Sequence, residues 1–205
     1  MRVLVACEFS GVVRDAFLKR GHDAISCDLL PSERPGPHHQ GDVRDLLHDW
    51  LGWDLMIAFP PCTYLCSSGL HWNRRDPERE SLTQEALSFV RELLASDATR
   101  IALENPVGRI GTTIRPADQI IQPYEYGHDA RKGTCLWLKN LPPLKPTQYV
   151  EPRWVRQPSG KLLPRWSNQT DSGQNRLPPS RDRWKLRSQT YQGISDAMAE
   201  QWGCL

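Results

Sequence analysis

"RVLVACEFSGVVRDAFLKRGHDAISCD", residues 2–28, decides the fold. Val3–Cys7 is a short apolar run of the kind buried on both faces of a parallel sheet. Phe9-Ser10-Gly11 breaks it. Val12, Val13, Ala16 and Phe17 then recur at helical spacing, and Gly21 is placed to end the helix. Asp23–Leu29 reads as a second strand, with Asp28 at its end. Two strands flanking a helix make a right-handed βαβ unit with parallel strands.

The alternation continues outward from this unit. Residues 31–40, PSERPGPHHQ, read as a loop, and Gly41-Asp42 precedes a short helix through about Leu51. Asp54–Phe59 is a third strand. Pro77 suits a helix start, and Leu82, Ala86, Phe89, Val90, Leu93 and Leu94 make its apolar face. Arg100–Glu104 is a fourth strand, halted by Asn105-Pro106, and Ile120–Tyr126 and Thr134–Leu138 read as an antiparallel pair. From Leu141 prolines punctuate the chain, and little regular structure is expected before a last helix at about Gly193–Trp202. The organisation expected is an α/β catalytic and cofactor-binding domain over 1–140. A short basic Pro/Trp/Arg-rich recognition segment follows over 141–187, and 188–205 returns to the domain as a helix.

The totals fit one domain: 205 residues, 39% of them hydrophobic. No apolar run approaches the roughly 20 residues of a membrane helix, and the N-terminus lacks a secretory cleavage site, so a cytoplasmic protein without membrane partners is expected. Six cysteines without a CxxC pair give no disulfide framework, and Cys62, Cys66 and His71 lack a fourth ligand at zinc spacing, so no metal is expected. The net charge of +2 is unevenly placed, since residues 151–187 hold nine Lys/Arg against three Asp/Glu. Such a segment either meets phosphates or is a solvated tail.

Ligands of open parallel sheets bind beyond the carboxyl ends of the strands. Those ends carry Phe9-Ser10-Gly11, Asp28, Asp42, Pro60-Pro61-Cys62 and Glu104-Asn105-Pro106. Gly11 lets backbone approach a ligand, and the helix behind it offers free N–H groups. Asp28 suits ribose hydroxyls and Asp42 an adenine amino group, although aspartates also cap turns. Two prolines stiffen the turn that aims Cys62, where a helix N-terminus can ionise a thiol; the alternative is a small buried cysteine. Glu104 ends an apolar strand, and dry surroundings would raise its pKa and let it donate a proton; the alternative is an ion pair with Arg109 or Arg131. A thiolate, a carboxylic acid and an adenosine cofactor fit the methylation of cytosine carbon 5. Thiolate addition at carbon 6, with protonation at N3, makes carbon 5 nucleophilic.

At these positions the chain resembles the cytosine-C5 DNA methyltransferases. Phe9-Ser10-Gly11 is similar to that family's first cofactor motif, Pro61-Cys62 to its Pro-Cys nucleophile motif, Ser67-Ser68-Gly69 to the small-residue loop after it, and Glu104-Asn105-Pro106 to its Glu-Asn-Val motif. Tyr126-Gly127 and the strand after it resemble the segment bearing Gln-x-Arg-x-Arg, and Gln192-Gly193-Ile194-Ser195 weakly resembles the last motif. The resemblance implies a Rossmann-like S-adenosylmethionine-dependent methyltransferase sheet with helices on both faces. It implies Cys62, Glu104 and Arg131 as catalytic residues, and Phe9, Ser10, Gly11, Asp28, Asp42, Pro60 and Ser195 around the cofactor. Pro61, Ser67, Asn105, Pro106, Lys132, Arg165 and Arg183 would face the substrate. Cys7 stands where the family has Asp, only one basic residue survives in the Gln-x-Arg-x-Arg register, and the recognition region is reduced to about residues 141–187, a size that fits a compact phage genome. There Trp154, Trp166 and Trp184 interleave with arginines, a pattern for stacking on bases or for packing the segment onto the domain. The expected substrate is DNA, duplex or single-stranded. The alternatives are the same chemistry on a free cytidine nucleotide and a catalytically silent nucleic-acid-binding module.

Overall fold

The computed structural model describes residues 1–205. Strands β1 (Arg2–Ala6), β2 (Asp23–Asp28), β3 (His38–Gln40), β4 (Leu55–Ala58), β5 (Arg100–Pro106), β6 (Gln119–Ile121) and β7 (Thr134–Lys139) form one sheet in the order β3-β2-β1-β4-β5-β7-β6. The first five pair in parallel, and β7 runs antiparallel to both β5 and β6. Helix α1 (Val12–Leu18) and the last helix, α5 (Gln192–Trp202), pack on one face over Val3, Val5, Leu55, Ile57 and Ala102. Helix α2 (Pro77–Leu94) covers the other over Leu4, Ala6, Met56, Ala58 and Leu103, and a short helix, α3 (Arg109–Thr113), follows β5. Both faces of the central strands are therefore dry, which is why their sequences are continuous apolar runs and not alternating ones. Asp76 caps α2 by accepting from the N–H groups of Glu78 and Arg79, and Pro77 takes the first helical position, where no N–H is needed. Trp202 is fully buried, with its indole N–H donated to the Pro142 carbonyl, and this ties the C-terminal helix to the start of the proline-rich segment. No helix is long and apolar enough to cross a membrane.

The strand order reverses between β1 and β4. From β1 the chain winds outward through β2 and β3, then returns to the other side of β1 as β4. Such a switch point opens a crevice at the carboxyl ends of the two strands. The segment leaving β1 is Phe9-Ser10-Gly11, and the segment leaving β4 is Pro60-Pro61-Cys62.

Five stretches differ from the sequence expectations. The strand expected over Ile120–Tyr126 is only the short β6, and the chain then bends through a 3-10 turn at Pro123–Glu125, with Pro123 in its first position. Within the expected loop 31–40, His38–Gln40 is an edge strand; it pairs on one side only, and the His38 ring lies between the Ser26 hydroxyl and the Leu30 carbonyl, so no apolar alternation marks it. The helix expected from Asp42 to Leu51 is one 3-10 turn, Val43–Asp45, because Trp50 and Leu51 point to solvent and give a longer helix nothing to bury. β5 does not stop at Glu104 but runs through Asn105 to Pro106, which pairs with Thr134 at the strand's end, where proline is tolerated. The proline-rich segment contains an antiparallel hairpin, β8 (Arg153–Arg156) and β9 (Leu162–Arg165), turned by Gln157-Pro158-Ser159-Gly160, and a short helix, α4 (Arg183–Ser188). Leu144 of this segment is buried in the main core, and Trp166 stacks on Tyr124 with ring centroids 4.1 Å apart.

Candidate functional site

Cys62 opens a single helical turn whose first carbonyl accepts from the N–H groups of Leu65 and Cys66, at 3.0 and 2.9 Å. Two devices hold this turn against β5. Asn105, buried on the α2 side of the sheet, donates its amide to the Pro60 carbonyl at 2.8 Å, while its own Oδ1 is buried without a partner. Beyond the strand, Ser67 N–H bonds the Val107 carbonyl and Arg109 N–H bonds the Leu65 carbonyl, so the chain around Gly108 and the cysteine loop run side by side. A Cβ on Gly108 would lie 1.9 Å from the Leu65 carbonyl oxygen. Its φ is extended, so the requirement is space alone. Gly108→Ala is expected to push the cysteine loop off β5 and to lower turnover at least tenfold, as ~1 Å misplacements of reacting groups do, with a modest loss of melting temperature. Parallel kinetic and thermal-unfolding measurements check it.

Glu104 lies one residue before Asn105 and therefore points to the opposite face, with Thr134 diagonal to it on β7. Burial raises the Glu104 pKa, opposed by the Lys132 ammonium and the Thr134 hydroxyl. Cys62 is solvent-accessible, yet enough protein surrounds the sulfur that desolvation raises its pKa, with the Cys66 and Glu104 charges adding and Lys132 opposing. The Cys62 backbone N–H also favours the anion, but the balance holds the thiol above its ordinary range, where the sequence expectation was a thiol ionised by a helix N-terminus. The two groups thus share one electrostatic environment, with a single cation, Lys132, acting on both. Lys132 Nζ also donates to the Arg187 carbonyl at 2.7 Å. Arg131, expected as the catalytic cation, is exposed. Its backbone is clamped by Asn168, and its charge acts on Tyr124 instead.

At the other strand ends, Gly11 has the left-handed conformation (φ 72°). The space a side chain would need is filled by the Arg14 guanidinium, 2.6 Å from the Cβ position, not left open for a ligand. Arg14 is fully buried and binds the Ser26 and Ser32 hydroxyls and the carbonyls of Arg34 and Pro35, holding the loop after β2 onto α1. Nor are the N–H groups of α1 free. The buried Glu8 carboxylate accepts from Val13 at 2.8 Å and Arg14 at 3.4 Å, and from the Ser10 hydroxyl at 2.9 Å. Burial still raises the Glu8 pKa despite these bonds. Sequence reasoning missed Glu8; the signal was a carboxylate a few residues before a helix start. Ser10 is likewise buried.

Asp28 accepts from the Leu30 N–H at 2.9 Å, and burial raises its pKa, opposed by the Leu30 and Leu29 N–H groups and the His38 charge. Asp42 uses both carboxylate oxygens, one on the Arg44 N–H and one on its guanidinium. Cys7 has the left-handed conformation (φ 58°), and burial together with the Asp28 and Asp42 charges pushes its thiol far up. Ser195, expected at the cofactor, is fully buried inside α5 with its hydroxyl on the Tyr191 carbonyl; α5 is held down by its apolar face against α1. Arg165, expected at the substrate, is buried too, its guanidinium stapling the Asp171 and Pro164 carbonyls. Arg183 lines an open cleft of about 1020 Å³ with Arg176 and Asn175. Pro61 and Ser67 are exposed on the cysteine loop, and Pro106 is half-buried at the end of β5. No group of three or more His, Cys, Asp or Glu side chains converges as a metal site would require.

An adenosine-type cofactor fits part of this edge. Phe9 offers a half-buried ring, and Asp28 a half-buried carboxylate at the end of β2, the chemistry that ribose hydroxyls need. The N-terminus of α1, occupied by Glu8, offers no berth for a second carboxylate.

No family model and no curated protein matches the chain. Among solved structures it is similar to the crystal structure of rRNA methylase from Escherichia coli, at 14% identity and a TM-score of 0.35 over 67% of this chain. The chain spans about half the length of that protein, 55%. A likeness this loose fixes neither substrate nor activity.

Proposed function

We propose that this protein is an S-adenosylmethionine-dependent methyltransferase acting on carbon 5 of cytosine in DNA. The observation that carries the reading is that Cys62, on the loop leaving β4, and Glu104, the residue of β5 just past its last partner on β4, act on each other electrostatically, with the charge of Lys132 acting on both. The sheet order supports it, since a crevice at the ends of β1 and β4 sets a cofactor near Phe9 and Asp28 next to the Cys62 loop. When bound, S-adenosylmethionine supplies an electrophilic methyl group. The chain's own residues prepare the base. Cys62, as thiolate, adds to carbon 6; Glu104, as the protonated acid, gives its proton to N3; and carbon 5 gains the electron density it lacks in the aromatic ring. Loss of the carbon-5 proton to solvent water, expulsion of the thiolate and return of the N3 proton to the Glu104 carboxylate restore the ring and both side chains. Lys132 favours the thiolate and steadies the carboxylate that proton transfer leaves. Asn105 holds the Pro60 carbonyl and so fixes the origin of the cysteine loop.

A base inside a duplex cannot reach Cys62, so the substrate cytosine must leave the stack. Two basic surfaces support a polyanionic substrate. One is a cleft of about 610 Å³ where His71, Arg74 and Arg75, on the chain that continues the cysteine loop, meet Arg109, itself paired with Glu80. The other is the Arg176–Arg183 cleft beside α4, near a hairpin that exposes Arg153, Trp154 and Arg156. Labelled S-adenosylmethionine offered with duplex DNA, single-stranded DNA or dCMP tests the reading. Label on carbon 5 of cytosine in DNA is expected. Label on dCMP alone moves the substrate to the free nucleotide, and label on none of them overturns the enzyme.

A further inference from the structure

We propose that α4 and the residues just after it form the outer wall of the cofactor site, with Trp184 as the side chain facing the cofactor and the Glu33–Lys185 pair as the latch that holds the wall in place. This rests on the cofactor reading above. Nothing in the sequence patterns of the catalytic domain assigns these residues to the cofactor, since they lie in the segment expected to meet the substrate.

Helix α4 has six residues, none of them buried, and no side-chain cap. Propensity and packing of its own therefore do little to hold it. It is held by what it touches at the carboxyl edge of the sheet. The Trp184 ring lies against Phe9, with centroids 5.9 Å apart and planes at 47°. Lys185 Nζ pairs with one oxygen of the Glu33 carboxylate at 2.5 Å, and Gln189 donates to the other at 3.1 Å. Glu33 in turn donates its N–H to the Phe9 carbonyl at 2.8 Å, so Phe9 and Glu33 form one unit and the strap lands on both halves of it. At its far end the Arg187 carbonyl accepts from Lys132, the cation beside Cys62 and Glu104.

The strap therefore spans the edge from the loops after β1 and β2 to the residues before β7. A planar heterocycle seated at Phe9, with its ribose at Asp28, has the Trp184 indole as its next neighbour. The indole is 56% exposed and has its aromatic contact in Phe9 alone, an arrangement that leaves a large apolar face to be covered. Seating of the cofactor and placement of Lys132 are then two ends of one element.

Calorimetric titration of the full chain with S-adenosylhomocysteine tests the wall without depending on turnover. Glu33→Lys and Lys185→Glu are each expected to weaken binding about three- to fivefold by opening the latch. The double exchange, Glu33→Lys with Lys185→Glu, is expected to restore wild-type affinity, which a variant that failed to fold would not do. Trp184→Ala is expected to weaken binding about three- to tenfold. Wild-type binding with unchanged affinity in the single variants overturns the wall and leaves the cofactor reading standing. Failure of the wild-type protein to bind S-adenosylhomocysteine overturns both.

Discussion

Cys62→Ser is expected to lower methyl incorporation by well over a hundredfold while leaving S-adenosylhomocysteine binding unchanged. The serine keeps the size of the side chain and the hydrogen bonds of the turn, all of which run through the backbone of residue 62. What it loses is the nucleophile. A thiol yields a useful fraction of anion within reach of neutral pH, and a hydroxyl does not. The environment of Cys62 makes the contrast testable by pH. Desolvation and the Glu104 charge raise the thiol above its ordinary range and Lys132 lowers it. Alkylation of the Cys62-containing peptide by iodoacetamide should therefore rise with pH along a curve lying above that of a free thiol. Lys132→Ala should move the curve further up, because a stabilising cation has gone. Glu104→Gln should move it down, because a repelling anion has gone. A Cys62 curve that ignores both changes would mean that the three groups do not share one site, and rapid methylation by Cys62→Ser would remove the nucleophile from the mechanism.

The parts of this molecule legible in the sequence are those where one force dominates. Burial on both faces writes β1, β4 and β5 as continuous apolar runs, and the break at Pro60-Pro61 marks where the Cys62 loop leaves the sheet. The long face of α2, with its Asp76-Pro77 start, is equally plain. The parts that escaped depend on contacts made at a distance. His38–Gln40 is a strand because β2 lies beside it, not because its residues are apolar. Arg14 reads as an ordinary helix-surface arginine until the loop over residues 32–37 folds onto it. Arg165 and Ser195 carry side chains suited to ligands, but tertiary packing turns both inward and satisfies them with backbone carbonyls. The choice between the neighbours Arg131 and Lys132 as the cation at Cys62 hangs on which one precedes β7 on the Glu104 face, a register that spacing from Tyr126-Gly127 leaves open. The contact of Trp184 with Phe9 joins positions 175 residues apart and has no local signature.

Glu104→Gln is the substitution expected to change the shape of the pH profile as well as its height. Glutamine is nearly isosteric and can donate an N–H to N3 of the base, so binding should survive. It cannot surrender a proton, and loss of a positioned general acid costs about a hundredfold or more in rate. Glu104 must be protonated to act, and burial raises its pKa, so its contribution is complete at low pH and fades as pH rises through that raised pKa. Cys62 needs the opposite, since its thiolate grows with pH. The wild-type rate should accordingly be bell-shaped in pH, with the rising limb belonging to Cys62 and the falling limb to Glu104. In Glu104→Gln the falling limb should vanish, leaving a low rate that only increases with pH. Glu104→Asp would keep the acid but shorten its reach by one methylene, and should retain the falling limb at reduced rate. A falling limb that persists in Glu104→Gln would assign the acid to another group. Glu8, another buried carboxyl with a raised pKa, is already committed to the N–H groups of Val13 and Arg14 and to the Ser10 hydroxyl.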